Sequence, residues 1–415
     1  MIKKEGGFSL IELMVTMVVF VFAIAAASTI FTSLLTQFKQ QTKIAETNIE
    51  GIVGLEILRQ DLDHAGFGLP WNVRGGEWDD ISYTEATAGG TPFNPSLYND
   101  STRDLDADGK PGETPRAIVG GNNVGLNGSD YLVIKASIVA TNGQSQKWAT
   151  LLQGNQIDES SSSVLPGNND RVTVIASGTS SADDRALITA GGFFTKYVDS
   201  NPDSLLNATF APEPDDGYFV VYGVAPDNAN PLKMPFNRAD YYIDRPGGAA
   251  MPSRCAPQTG ILYKATLDQY SSGAIEFNKL PLLDCVVDMQ VIYGLDMNDD
   301  GTIGTFSNAD GSSTTDTTRE AEGASAADVQ ATLASAERLR ERLKEIRIYI
   351  LAQEGQKDPG FTFTGFNGGC ATCIILSDPG LGKDFDLSAI TDRLNYRWKV
   401  YTLITAPINL WYVTK

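Results

Sequence analysis

Residues 6–39 read GGFSLIELMVTMVVFVFAIAAASTIFTSLLTQFK, and the rest of the chain hangs from them. A polar leader with Lys3 and Lys4 runs into Gly6 and Gly7, and from Phe8 the chain turns apolar. Between Leu13 and Phe38 there is no charge, and within Phe8 to Phe31 the one ionisable residue is Glu12. About 20 apolar residues suffice to cross a bilayer as a helix. The run is too long and too uninterrupted for a secretory h-region, and no small-residue cleavage site follows it. A processing point fits only ahead of the apolar run, at the glycine pair.

Gly7-Phe8-Ser9-Leu10-Ile11-Glu12 resembles the type IV prepilin signal. The resemblance implies cleavage between Gly7 and Phe8 by a prepilin peptidase on the cytoplasmic side, then N-methylation of Phe8. It divides the chain into a leader (1–7), a pilin helix (8–66, with 8–31 in the membrane) and a head (67–415). A carboxylate inside a membrane helix costs a few kcal/mol and is normally paired. The new amino terminus at Phe8 lies at a similar depth but pairs only awkwardly with Glu12 on the same rigid helix. Pairing Glu12 with a neighbour's amine neutralises both charges and sets the stagger between subunits. That matches the role of this glutamate in the pilin family.

Composition narrows the head. The formal charge of the 415-residue chain is −19, and loss of a leader holding two lysines and one glutamate takes it to −20. So acidic a surface argues against a phosphate-binding groove, and no nucleic-acid partner is expected. A head of about 350 residues exceeds the size at which single cores stop growing, so either two subdomains or one decorated core is expected. Holding Lys3 and Lys4 inside places the four cysteines outside the cytoplasm, where disulfides are the default. Four cysteines allow three connectivities. Cys255–Cys285 with Cys370–Cys373 is favoured, each pair being local and flanked by loop-like residues. Cys370-Ala-Thr-Cys373 has redox spacing, but Gly368-Gly369 before it and Ile374 after it read as a turn entering a strand.

Along the chain, the absence of proline from Phe8 to Leu69 lets the helix continue past the apolar run. Ile49, Ile52, Val53, Ile57 and Leu62 recur at spacings of three and four. Lys43, Glu46, Glu50, Arg59 and Asp61 are expected on the outer face, with bending at Gly51 and Gly54. Gly66 and Gly68-Leu69-Pro70 end the helix. Residues 71–127 show little periodicity and are too long for a plain loop, which predicts short hidden elements. Strand patterns follow at 130–136, 171–175, 218–222, 241–244, 260–266, 286–294, 345–351 and 396–404. A helix is predicted over Ala326 to Lys344 as a solvated amphipathic element. The fold class is α+β: a long N-terminal hydrophobic helix packed against a large, mainly antiparallel β-sheet head with long insertions.

Asp104-Leu-Asp106-Ala-Asp108-Gly109 and Asp296-Met-Asn298-Asp-Asp300-Gly301 both fit D-x-[DN]-x-D-G. A hard cation such as Ca²⁺ wants six to eight oxygens; alternate side chains on a tight turn supply three, and the next backbone carbonyl adds one. Lys110 and Thr302 are those carbonyl donors. Position twelve, where a bidentate Glu would sit, holds Pro115 or Ser307, leaving Glu113 and Asp310 as stand-ins. The competing reading is an Asp/Asn/Gly turn. Structural Ca²⁺ of modest affinity is the expected cofactor.

The helix end Leu58 to Gly66 resembles both PilW-type minor pilins and J-type pseudopilins of type II secretion. Ser129 to Leu132, Gly260 to Lys264, Met289 to Asp296 and Tyr396 to Trp398 are more similar to the PilW group. That resemblance implies a minor pilin that helps initiate type IV pilus assembly and sits at the tip. Its partners would be other minor and major pilins, the inner-membrane assembly platform and the prepilin peptidase. It would be an inner-membrane single-pass protein with a periplasmic head, later carried into the pilus at the cell surface. A J-type pseudopilin or a tip adhesin are the alternatives. No P-loop, GxSxG, HExxH or dinucleotide fingerprint occurs, so no enzyme is expected.

Overall fold

The computed structural model describes residues 9–410 except 89–92, 106, 159–163, 178–183, 199–203, 228–229, 248–250, 270–275, 313–323 and 378–382. Helix α1 (Leu10–Asp63) is a single 54-residue element, roughly 80 Å long at 1.5 Å per residue. Ser9 caps it, its Oγ accepting the Glu12 amide at 3.2 Å. The threonines of the apolar half are satisfied locally. Thr16 Oγ1 donates to the Leu13 carbonyl at 2.9 Å, and Thr32 Oγ1 to that of Ser28 at 3.0 Å, as a helix in lipid requires. Every residue from Leu10 to Lys39 is exposed on the single chain. At the other end, Gly66 turns the chain at φ 78°, and its amide joins the Lys135 carbonyl at 3.0 Å.

The face of α1 that meets the head is Thr47, Gly51, Gly54, Leu55, Leu58, Asp61 and Leu62. This corrects the phase read from the sequence: Ile49, Ile52 and Val53 point outward and are exposed, while Asp61 lies inside. The physical reason is close approach. A Cβ on Gly54 would lie 2.0 Å from the Leu282 carbonyl oxygen, and one on Gly51 3.2 Å from the Tyr401 hydroxyl. Small residues mark the closest approach, with Leu55, Leu58 and Leu62 packing beside them, and the helix runs on through both glycines.

Among the described residues, eight strands form the main sheet, every pairing antiparallel. Its order is Arg397–Thr405, Leu343–Glu354, Phe277–Leu295, Gly260–Leu267, Asn237–Asp244, Tyr131–Ala136 and Ile118–Gly121, with Thr305–Asn308 on the end of the 19-residue strand. α1 lies on the strands Phe277–Leu295, Leu343–Glu354 and Arg397–Thr405, and Leu55, Leu58 and Leu62 join Met289, Val291, Ile348 and Ile350 in one core. On the opposite face, Tyr349, Leu351 and Trp398 pack against the hairpin Cys373–Leu376 and Lys383–Asp386.

The long insertion after Ala136, with Asn72–Val73 from before it, builds a second sheet. Its order is Asn72–Val73, Asp184–Leu187, Arg171–Ser177, Phe219–Ala225, Trp148–Leu152 and Gln156–Asp158, with Thr195–Lys196 beside Arg171–Ser177. It has its own apolar cluster of Leu151, Val172, Val174, Phe210, Phe219 and Val221. Residues 71–127 contain the predicted short elements, among them the 3₁₀ turns Trp78–Asp80 and Pro95–Tyr98.

The helix predicted over Ala326 to Lys344 is two helices. α2 (Ala326–Ala334) stops at Ser335, whose extended backbone ends one helix while its side chain accepts the Arg338 amide to begin α3 (Ala336–Arg342). Lys344 already belongs to the next strand.

Candidate functional site

The first candidate surface is α1 itself. Gly7 and Phe8, the expected processing pair, lie outside the described residues. Glu12 stands in the first turn of α1, where the helix dipole favours an anion, and it is exposed. No cation among the described residues pairs with it. Around it Leu10, Ile11, Leu13 and Met14 present their side chains outward at 52–80% exposure. The arrangement is an apolar rod with one carboxylate near its tip, suited to lipid or to other such rods.

The head grips the distal half of α1 with charge as well as packing. Asp61 accepts a hydrogen bond from the Tyr241 hydroxyl and pairs with Lys264. Burial raises its carboxyl above the usual range, and Lys264 opposes that rise. Arg254 bridges Glu50 of the helix at 2.5 Å and Asp284 of the long strand at 2.9 Å. His64 caps the helix end, its Nδ1 2.8 Å from the Gln60 carbonyl.

The two acidic loops fold alike. In one, the Asp296 carboxylate accepts the Asp300 amide at 3.1 Å and the Gly301 amide at 2.9 Å, and Asp300 Oδ1 accepts the Thr302 amide at 2.7 Å. In the other, Asp104 accepts the Gly109 amide at 3.1 Å and Asp108 the Lys110 amide at 2.8 Å. The fourth and sixth residues are left-handed in both: Asp299 and Gly301 at 60° and 86°, Ala107 and Gly109 at 59° and 88°. Asp106 lies outside the described residues. Asn298 and Asp300 remain near the surface, with hydrogen bonds from the Thr302 hydroxyl and amide lowering the Asp300 carboxyl.

The protein supplies part of the counter-charge. Lys344 stands 3.8 Å from Asp296 and Arg342 3.8 Å from Asp299, while Lys110 pairs with Asp79 at 3.2 Å. Of the two stand-in ligands, Glu113 reaches its loop through the Leu105 amide at 2.6 Å. Asp310 instead accepts the Ser312 amide at 2.9 Å. The carboxylates at 296 and 300, the Asn298 side chain and the Thr302 carbonyl form a donor set of the right chemistry for a hard cation; the adjoining lysine and arginine weaken its pull.

Sequence reasoning missed an ion cluster whose centre is fully buried. Lys135 Nζ lies 2.6 Å from Glu85 and 2.6 Å from Asp100. Asp100 also takes Arg116 Nε at 2.7 Å and Arg103 at 3.1 Å. Arg238 reaches Glu85 at 3.3 Å and forks onto Asp240 at 2.7 and 2.8 Å. Burial would raise the Asp100 carboxyl, but the Lys135 ammonium and Arg116 guanidinium outweigh it and hold it well below the usual range. The cluster bolts Glu85, Asp100, Arg103 and Arg116 to the sheet. A signal was present: Lys135 interrupts an otherwise apolar strand, and Arg238 and Asp240 share one face of the next.

Cys255 is bonded to Cys285 and Cys370 to Cys373, with Cα separations of 4.9 and 5.0 Å. The first ties the segment before Gly260–Leu267 to the long strand, and the second closes the turn entering Cys373–Leu376. Asp386 lies close to both sulfurs of the second pair, but those sulfurs are spent in the disulfide. Trp398 is core and donates Nε1–H to the Arg393 carbonyl at 2.8 Å.

Residues 2–28 match the prokaryotic N-terminal methylation motif. No curated protein and no solved structure matches the chain. The chain therefore carries the signal of type IV pilin-like and pseudopilin substrates, continuous with an apolar helix long enough to cross a membrane.

Proposed function

We propose that this chain is a PilW-like minor pilin that takes part in initiating type IV pilus assembly and sits at the pilus tip. One observation carries the reading: the methylation motif opens a helix whose first thirty described residues stand clear of the head. An exposed apolar rod of that length is a surface for lipid first and for neighbouring helices later. A head with two sheets on so thin a stalk crowds a repeating shaft, whereas one copy capping a small complex avoids the clash. Phe8 would be the methylated residue, and its amine in one subunit would neutralise Glu12 in the next. The head faces the periplasm and then the cell surface. Ca²⁺ at the Asp296–Thr302 loop, and secondarily at Asp104–Lys110, stiffens that head.

The test is Glu12→Val in cells. Membrane insertion is expected to be intact and incorporation into filaments abolished; normal incorporation would sink the proposal. Cross-linking from native membranes identifies the neighbours: minor pilins support the reading, and secretion subunits would assign the chain to a J-type pseudopilin instead.

A further inference from the structure

A cleft of about 360 Å³ opens where Trp71, just beyond the end of α1, meets the second sheet at Asp184 and the start of α3. That volume is within the range of small-ligand pockets. Arg340 lines it, with its guanidinium 4.5 Å from the centre of the Trp71 ring. Two other arginines nearby have their donors engaged. Arg185, 4.8 Å from the same ring, donates to the Gly66 carbonyl at 2.9 Å. Arg103 holds Asp100 and the Ala334 carbonyl at 3.1 and 2.8 Å. Arg340 makes no hydrogen bond and no salt bridge among the described residues. Burial lowers its pKa to about 10.

A half-buried guanidinium whose five N–H donors meet no protein acceptor among the described residues is free to take one from a ligand. Its planar fork matches the two oxygens of a carboxylate. The cleft is not a simple anion trap, however. Glu337 and Glu341 are exposed at its rim and Asp184 is half-buried in its wall, so a bare anion is repelled while a cation is drawn in. A ligand that fits brings both signs. A peptide with an acidic residue between basic ones does so; a sugar acid brings only the anion.

We propose that this cleft binds a peptide segment in which a carboxylate is flanked by basic side chains, the carboxylate taken by Arg340 and the cations by Glu337 and Glu341. Such binding goes beyond assembly through α1 and holds whether or not the chain enters a pilus.

The test is calorimetric titration of the full-length protein in detergent micelles at low salt with acetyl-lysyl-aspartyl-lysinamide. The asparagine version of the peptide and glucuronate serve as comparisons. The aspartyl peptide is expected to bind, and the asparaginyl peptide and glucuronate to bind at least about tenfold more weakly. Arg340→Gln should cost about the same factor, and Arg340→Lys, which keeps the charge but loses the fork, less. Circular dichroism checks each variant's fold, and if Arg340→Gln fails to fold, the two peptides on the wild-type chain decide. No heat with the aspartyl peptide, equal binding of the asparaginyl one, or indifference to Arg340→Gln in a folded variant would overturn the proposal. Glucuronate binding as tightly as the peptide would overturn it in favour of a sugar-acid site.

Discussion

Gly54 of the long helix and the carbonyl of Leu282 on the longest strand approach so closely that no side chain fits between them; a Cβ at position 54 would lie 2.0 Å from that oxygen. Gly54→Ala must therefore push helix and sheet apart, because the obstacle is backbone. Overpacking of this kind costs about 1–3 kcal/mol. Gly51→Ala meets the Tyr401 ring instead, at 3.2–3.3 Å, and a side chain can yield. Chemical denaturation of the two variants should rank Gly54→Ala as clearly the worse; equal losses would contradict the close-approach account.

Lys135→Met removes the ammonium shared by Glu85 and Asp100 and leaves two carboxylates buried without it. Breaking a buried pair by deleting one partner costs about 3–5 kcal/mol. Replacing Lys135, Glu85 and Asp100 together with apolar residues of similar size should cost less than the single change. Limited proteolysis of the Lys135→Met protein is expected to cut first within residues 85–116, the segment the cluster holds.

The buried carboxyls of Asp130 and Asp288, raised in the same sense as that of Asp61, give stability a pH slope. Burial pushes Asp130 up to about 7 and Asp288 up to about 6, against about 3.9 in an unfolded chain. Between those values the folded chain holds protons that the unfolded chain has released, so their contribution falls as pH rises from about 4 to about 7. Asp100 works in the opposite sense, but its carboxyl is held so low that its contribution is lost only in stronger acid. Thermal midpoints of wild type and Asp130→Asn across pH 5 to 7.5 test this. The variant should show the flatter slope, whatever its baseline stability.

Calcium should raise the thermal midpoint of the head. A cation at tenfold excess over its Kd adds about 1.4 kcal/mol. Asp296→Ala is expected to remove most of the effect and Asp104→Ala a smaller part. Arg342→Gln, which removes a cation 3.8 Å from Asp299, should sharpen the response. No shift with millimolar calcium, and no heat on titration, would leave the loops as ordinary turns.

The α+β class was legible because its signals are local. An apolar run without proline makes a helix, and short runs of aliphatic and aromatic residues make strands, as at Tyr131–Ala136 and Gly260–Leu267. What failed was geometry that only the tertiary contact decides. Ile49, Ile52 and Val53 have the right spacing for a buried face, yet the strand comes closest on the glycine side, so they face out. The break at Ser335 hid because a serine is tolerated inside a helix; here it caps two. The Lys135 cluster draws its members from positions 85 to 240, and no local window holds such a set. Arg340 was read as one charge on a solvated helix, since nothing in residues 326–344 announces Trp71 beside it.

The sheet order also constrains when this protein can be finished. α1 is made first, yet the strands that cover it, Phe277–Leu295, Leu343–Glu354 and Arg397–Thr405, come from the last third of the chain. Contacts of such separation form late and slowly. During synthesis Gly54 has no strand to meet until Leu282 has emerged, and Gly51 lacks the Tyr401 ring until residues near 400 follow. The order of synthesis is thereby written into the helix itself, as a face that closes in two steps, first at Gly54 and then at Gly51.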